Sequence, residues 1–477
     1  MPITEIEKKS GRQYLPSGKG ATGSPNQELL PLTAKVNARD HLEIGGCDVT
    51  TLVQRFDSPL YILDEVTLRT ACRQYREAFA EHYPGSSQVI YASKAWSCLA
   101  VCAVVAGEGL GFDVVSGGEL YTTLEALRLV YGDESLPEQA GKIYLHGNNK
   151  SAAELKMAND RGITVIVDNW LELEMLTEMS AATVKPIRVM LRLTPGIECH
   201  THEYIRTGHL DSKFGFDPNQ LEAVFNYISQ QPNLQCIGLH AHIGSQIFER
   251  RPHQDLAAVL VEWMKKAGDS GLSIQELNIG GGLGICYTED DDPPSIEEWV
   301  KATCQSIVRA CQQQRLPLPK LIAEPGRSLI GSACITAYTV GSSKVVPDIR
   351  TYIAVDGGMS DNPRPITYQS DYRVVVANRM SAPIEEKVTV AGKHCESGDI
   401  LIKDAQLPKM QPGEVLVVMT TGAYNYSMAS NYNRLPRPAA VLVKDGEANL
   451  ILKRETYEDL IRQDILPERL IETKPVP

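Results

Sequence analysis

Lys94 follows the run "QVIYAS", where an apolar stretch of strand type gives way to a loop. An amine at such a place is a solvated cation, a salt-bridge partner or a nucleophile for a carbonyl compound, and "IYASKA" alone does not choose among them. Further along, "NIGGGLG" at 278–284 sets three consecutive glycines, Gly280, Gly281 and Gly282, behind another apolar run. Lacking Cβ atoms, they leave backbone N–H groups free to surround an anion, although a tight turn without a ligand carries the same signature. Neither a dinucleotide fingerprint nor a Walker lysine follows them. "AEPGR" at 323–327 places a carboxylate, Glu324, and a guanidinium, Arg327, around a rigid turn that also holds Gly326; alone, the pair reads equally as an ordinary salt bridge. "GLHAHIGSQ" puts His240 and His242 on one face of a strand ahead of Ser245, and "ECHTHEY" adds His200 and His202. Four histidines in two H-x-H pairs are a metallohydrolase signal.

The full set favours a different chemistry. A lysine amine, an anion cradle, a carboxylate for a protonated ring nitrogen and a flat imidazole to cover a ring are the needs of pyridoxal 5'-phosphate (PLP), whose aldehyde forms a Schiff base with lysine. Glu324 then pairs with the pyridine nitrogen, Arg327 takes a phosphate or a substrate carboxylate, and no metal is expected.

These groups need a scaffold that brings them to one face. Eight short apolar runs, at 88–92, 111–115, 142–146, 164–168, 189–193, 236–242, 276–280 and 320–324, alternate with helical patterns such as "GGELYTTLEALRL" and "QDLAAVLVEWMKKAG". Their size and rhythm match an α/β fold built on a (β/α)₈ TIM barrel, with an open doubly wound sheet as the alternative. Nearly every run ends in a polar or glycine-rich cluster, and in a barrel those ends share one mouth. From about residue 334 the runs become β-rich without long helices, which predicts a C-terminal antiparallel β domain. The expected division is an N-terminal arm over 1–49, partly disordered, a strand region over 50–69 that joins the β domain through a strand near 50–54, the barrel over 70–333, and the β domain over 334–477.

The chain has 477 residues, 43% hydrophobic and 22% charged, the balance of a soluble globular protein. A net charge of -12 argues against nucleic acid and anionic membranes, leaving small molecules as the default partners. Eleven cysteines without a C-x-x-C suit a reducing compartment, and Cys98 and Cys102 read as small buried thiols in an apolar helix. No run of 18 uncharged apolar residues occurs, early glutamates weaken a transit-sequence reading, and a cytoplasmic location is expected.

Over roughly residues 50–465 the chain resembles the alanine-racemase-like, fold-type III PLP decarboxylases, and within them the diaminopimelate decarboxylase family. The resemblance rests on "YASKA", "GFDVVSGGEL", "DSKFG", "HAHIGSQ", "NIGGGLG", "AEPGR", "VDGGMSDNPRPITY", "HCESGD" and "TTGAYNYSMASNYN", nine motifs in family order. It implies decarboxylation of meso-2,6-diaminopimelate to L-lysine and CO₂, the last step of lysine biosynthesis, in a homodimer whose active sites are shared across the interface. Lys94 resembles the Schiff-base lysine and His240 the ring-stacking histidine. Ser245 and Gly280 to Gly282 are similar to the phosphate donors, Glu324 to the partner of the pyridine nitrogen, and Asp113 and Gly326 fall among the cofactor contacts. Arg327, Arg364 and Tyr368 resemble the grip on the substrate's distal end, and Tyr424 a residue touching both cofactor and substrate. Cys395 and Glu396 match the pair supplied by the other subunit, with Cys395 as the acid that returns a proton. Two departures stand out: Lys393 and His394 add positive charge beside Cys395, and the N-terminal arm has no family counterpart. The competing expectations are a related decarboxylase of ornithine, arginine or carboxynorspermidine, an alanine-racemase-like activity, and a non-catalytic PLP-binding regulatory homologue.

Overall fold

All eight apolar runs form strands, and these pair in parallel into a closed barrel in the computed structural model, which describes residues 9–16, 23–183, 185–197 and 211–471. The strands are Ser87–Ala92, Gly111–Val114, Ile143–Leu145, Thr164–Val167, Ile187–Arg192, Leu234–His240, Glu276–Asn278 and Lys320–Ala323. Their hydrogen-bonded order follows the chain, and the first strand closes on the eighth through the register Ser87–Leu321 to Val89–Ala323. Ile90, Tyr144, Ile166, Met190, Ile237 and Ile322 fill the interior, so the barrel is a packed core beneath its mouth rather than a channel.

Local signals set where the helices begin. Ser116, Ser151, Asn169 and Ser295 each cap a barrel helix by accepting the N–H of its third residue, and Ser151 and Ser295 complete capping boxes with Glu154 and Glu298. Each cap satisfies amides that the helix leaves unpaired and fixes the turn between the strand end and the helix.

The second unit is a nine-stranded, mostly antiparallel sheet, centred on the long strand Cys334–Val346. Leu60–Asp64 pairs antiparallel with that strand and parallel with Ala439–Lys444, so a segment that precedes the barrel in sequence is built into the sheet that follows it. Arg350–Val355 and Glu386–Ala391 form a second parallel pair.

Two expectations need correction. The segment near 50–54 is not a strand; it lies in the helix Val49–Phe56. Its β-branched residues suggested a strand, but Val49, Leu52, Val53 and Phe56 have helical spacing toward the core, and the Asp48 side chain accepts from the amides of Thr50 and Thr51. The strand that joins the sheet is Leu60–Asp64. The described residues of the first 49 are also packed rather than free. Asn26 donates to the carbonyls of Gly284 (3.0 Å) and Pro294 (2.9 Å), Ile296 donates to Ser24 Oγ, and Leu30 and Leu42 are fully buried. Polar side chains, which composition reads as solvated, are here the pins. The rest of the proposed mobile arm, residues 1–8 and 17–22, lies outside the described residues.

Candidate active site

The barrel mouth and the β domain enclose a cavity of about 740 Å³. At its floor is Glu324, just past the eighth strand. Its Oε2 lies 3.2 Å from His240 Nε2, the last residue of the sixth strand, and its Oε1 accepts from Asn278 Nδ2 at 2.6 Å and lies 2.8 Å from His146 Nε2. The two imidazoles meet edge to face, with centroids 4.8 Å apart. Burial pushes His240 down to about 4, so it sits as the neutral ring donating one N–H. Burial works to raise Glu324, but the donors from His146 and His240 outweigh it and hold the carboxyl well below its usual range. The floor is therefore a fixed, dry carboxylate.

Lys94 stands in the short turn Ser93–Ala95 after the first strand, with 43% of its side chain open to the cavity. Its Nζ lies 3.5 Å from Asp113 Oδ2, a carboxylate almost fully buried in the second strand. Desolvation lowers the amine, and the charges of Asp113, Tyr424 and Glu324 more than reverse that, leaving a raised pKa. Tyr424 is placed beside this turn by its own amide, which donates to the carbonyl of Ala95 at 2.8 Å.

Two buried guanidiniums form the opposite wall. Arg327 donates through Nε and Nη2 to Ser245 Oγ, both at 3.0 Å, and through Nη1 to Tyr287 OH at 2.6 Å, while its Cζ lies 4.8 Å from the Tyr424 ring centroid. Arg364 donates to Tyr372 OH at 2.7 Å and lies 4.8 Å over the Tyr287 ring. Burial raises the Tyr287 phenol, but the two guanidiniums hold it below its ordinary value. Tyr368, at the end of the short helix Arg364–Tyr368, completes this wall.

Lys94, His240, Ser245, Gly282, Glu324, Gly326, Arg327, Arg364, Tyr368 and Tyr424 thus line one cavity, with Asp113 behind Lys94. The glycine run is less uniform than its sequence suggests. A Cβ on Gly281 would stand 2.2 Å from the Glu324 carbonyl oxygen and one on Gly282, at φ +128°, 2.7 Å from that of Gly244, so both positions require glycine. The N–H groups of Gly280 and Gly281 are taken by Asn278 Oδ1 and His242 Nδ1, which leaves Gly282 as the member of the run on the cavity wall. Cys395 and Glu396 do not line the cavity of their own chain; both are exposed on a loop of the β domain. His200 and His202 lie outside the described residues.

Sequence reasoning missed His146, Arg192, Asn278 and Tyr287. His146 directly follows the third strand, and Arg192 and Asn278 end the fifth and seventh, the same position that marked Lys94 and His240. Arg192 lines the cavity with Asp168 Oδ1 3.7 Å away, and its guanidinium stacks 4.3 Å over Phe214. Tyr287 had no such signal: it lies in "GICYTEDDD", where nothing shows that two arginines distant in sequence will converge on its ring.

The family model described as the pyridoxal-dependent decarboxylase pyridoxal binding domain matches residues 66–331. The diaminopimelate decarboxylase of Synechocystis sp. is 70% identical over 94% of this chain and 96% of its own length, and that of Bacillus subtilis 45% identical over 91% and 97%. The chain belongs to the diaminopimelate decarboxylases. A crystal structure of the diaminopimelate decarboxylase from M. jannaschii in co-complex with L-lysine superposes with a TM-score of 0.84 at 32% identity, covering 92% of this chain and 99% of that one.

The cavity meets the needs of the PLP that diaminopimelate decarboxylases use. Both carboxylate oxygens of Asp113, which have Lys94 and His146 at 3.5 and 3.7 Å, and Nδ1 of His240 are buried without a hydrogen bond among the described residues. Burying such groups without hydrogen bonds is costly, and a polar ligand beside them lowers the cost. An accessible amine, a buried carboxylate and a serine-arginine pair surround the same space, which is the donor set an aldehyde, a pyridine ring and a phosphate together require.

Proposed function

We propose that this chain decarboxylates meso-2,6-diaminopimelate to L-lysine, with Lys94, Glu324 and Cys395 at the centre of the chemistry. The observation that carries the substrate choice is the convergence of Arg327 and Arg364 on Tyr287 in the cavity that holds Lys94. Diaminopimelate has a distal carboxylate for such a wall, whereas ornithine offers only a distal ammonium, which two buried guanidiniums would repel.

In this reading Lys94 is the covalent anchor, with Asp113 beside it to take up charge. Glu324 would hold the pyridine nitrogen, His240 the ring, and Ser245 and Gly282 the phosphate. When bound, PLP supplies the electron sink that accepts the pair left on Cα as the carboxylate departs. Glu324 stays ionised through its three neighbours, so it favours a protonated ring nitrogen. Arg327, Arg364 and Tyr368 fix the distal end, which orients the scissile carboxylate. The Cys395 thiol gives its proton to Cα and is reprotonated from solvent.

Cys395 and Glu396 lie away from their own cavity, which supports a homodimer in which each chain extends them to the other's site. The division into an N-terminal segment to 49, a joining strand region over 50–69, a barrel over 70–333 and a β domain over 334–477 is part of the same proposal, supported by the sheet strand that starts at Cys334. A cytoplasmic location is supported by the buried free cysteines; among the described residues no helix is long and apolar enough to cross a membrane. The test is a CO₂-release assay across meso-diaminopimelate, ornithine, arginine and carboxynorspermidine. Turnover confined to diaminopimelate is expected, and preferred turnover of a diamine precursor would overturn the reading.

A further inference from the structure

The loop that carries Cys395 and Glu396 is folded around one buried carboxylate. Asp399 Oδ2 accepts from the backbone N–H of His394 at 2.9 Å and lies 2.8 Å from His394 Nδ1. The loop closes on the same residue through Gly392 N–H to Asp399 O (2.9 Å) and Asp399 N–H to Glu396 O (3.1 Å). Both side chains are sealed, with His394 at 0% and Asp399 at 2% exposure, while Cys395 between them points to solvent. The other carboxylate oxygen leaves the loop: Asp399 Oδ1 accepts from the N–H of Met359 at 2.7 Å. Met359 belongs to the turn that leads into the helix Arg364–Tyr368, the source of both Arg364 and Tyr368.

One hydrogen bond and two close glycine approaches fix this junction further. Lys393 N–H donates to Gly357 O at 2.9 Å. A Cβ on Gly358 would stand 2.5 Å from both Asp399 oxygens, and one on Gly392 2.1 Å from Oδ2, so two loops reach the carboxylate only because both residues are glycine. A carboxylate that accepts from separate segments in a dry setting holds them in one geometry more firmly than neutral contacts do.

We propose that Asp399 is a positioning residue for both active sites of the dimer: it ties the segment carrying Arg364 and Tyr368, which grip substrate in the chain's own cavity, to the loop that presents Cys395 and Glu396 to the partner's. The proposal rests on the shared-site reading above. One chain's Asp399 then serves substrate binding in its own site and proton delivery in the other. His394 hydrogen-bonds the carboxylate from the loop side, with its Nδ1 also packed close against Gly358.

The holoenzyme heterodimer of K94A and C395A chains, isolated through two different tags, separates these roles. On the shared-site reading it has one intact site, which takes Lys94 and Arg364 from the C395A chain and Cys395 from the K94A chain. Asp399→Asn replaces one acceptor oxygen by an amide that cannot accept from His394 and Met359 together. Placed in the C395A chain it should raise KM for diaminopimelate about tenfold with kcat little changed; placed in the K94A chain it should lower kcat about tenfold with KM little changed. An effect from one chain only, equal changes in both constants from either chain, or no effect overturns the proposal. If D399N chains do not fold, His394→Ala carries the test: a fall in kcat from the K94A chain, at least about fivefold larger than any rise in KM from the C395A chain, is expected, and equal effects from both chains or no effect overturn it. An inactive parent heterodimer, despite proven chain exchange, would instead refute the shared-site reading itself.

Discussion

Glu324 and Cys395 stand at opposite extremes of environment. Glu324 is buried, with His146, His240 and Asn278 within 3.2 Å of its oxygens, whereas Cys395 is the exposed cysteine among the ten described, on a loop whose fixed parts all lie beneath it. The difference suits the role proposed for each. A carboxylate that keeps a ring nitrogen protonated works through a fixed field, which needs a dry surround and donors already in place. A proton donor to carbon must also be shielded from water at the moment of transfer, and among the described residues of its own chain none covers this one. On the proposed roles the barrel mouth is finished by one chain, and the acid end asks for a second surface.

Breaking the finished end should have the largest effect. Lys94→Ala is expected to abolish the visible absorbance of bound cofactor and lower turnover by at least about 10³-fold, with the fold intact because the side chain opens into the cavity rather than the core. Borohydride reduction of the unmodified protein followed by peptide mapping checks the assignment, and a pyridoxyl adduct on another lysine would refute it. Between the two ends, Arg364→Lys keeps the charge and loses the planar fork. It should cost about 2–5 kcal/mol in kcat/KM for diaminopimelate, a loss of about 30-fold or more, while cofactor affinity holds. An unchanged kcat/KM contradicts the proposed grip.

The smallest effect sharpens the comparison through pH. His240 is pushed down to about 4 by burial, whereas a histidine in the unfolded chain titrates near about 6.5. The unfolded chain then binds more protons between those values, so this group's contribution to stability is lost as pH falls from about 6.5 toward 4. Asp361, in the segment that leads to Arg364, is pushed up to about 7 by burial, so the folded chain keeps a proton that the unfolded chain releases near about 3.9. Its contribution has the opposite sign and is lost as pH rises from about 4 to 7. Relative to the parent, the melting temperature of H240Q should fall across pH 4 to 7 and that of D361N should rise, each by on the order of 1–3 °C. Parallel slopes for the two variants would contradict the assignment.

How much of this was legible depended on whether a residue's role is set by its strand or by a distant partner. The barrel and Lys94, His240 and Glu324 were readable because each closes a short apolar run, and a closed parallel barrel brings all such ends to one mouth. Tyr287 and Asp399 were not, because each draws its meaning from groups that only folding brings near: two arginines for the first, the turn at Met359 for the second. Val49–Phe56 is helical although β-branched residues such as its valines and threonines favour strands, because its apolar residues recur at helical spacing and Asp48 caps its first turn. The glycine run was half legible. The need for glycine is real, but at Gly281 it arises from the approach of the Glu324 backbone as much as from any ligand.

The central claim, that the acid end is completed by the partner, is tested most directly by mixing otherwise unmodified K94A and C395A chains, each nearly inactive alone. Random reassortment gives half heterodimers, each with one site carrying both defects and one carrying neither, so about a quarter of wild-type activity should return. No recovery, with exchange verified by two tags and cofactor retained on the C395A chain, would mean that Lys94 and Cys395 act within one chain and would contradict the account.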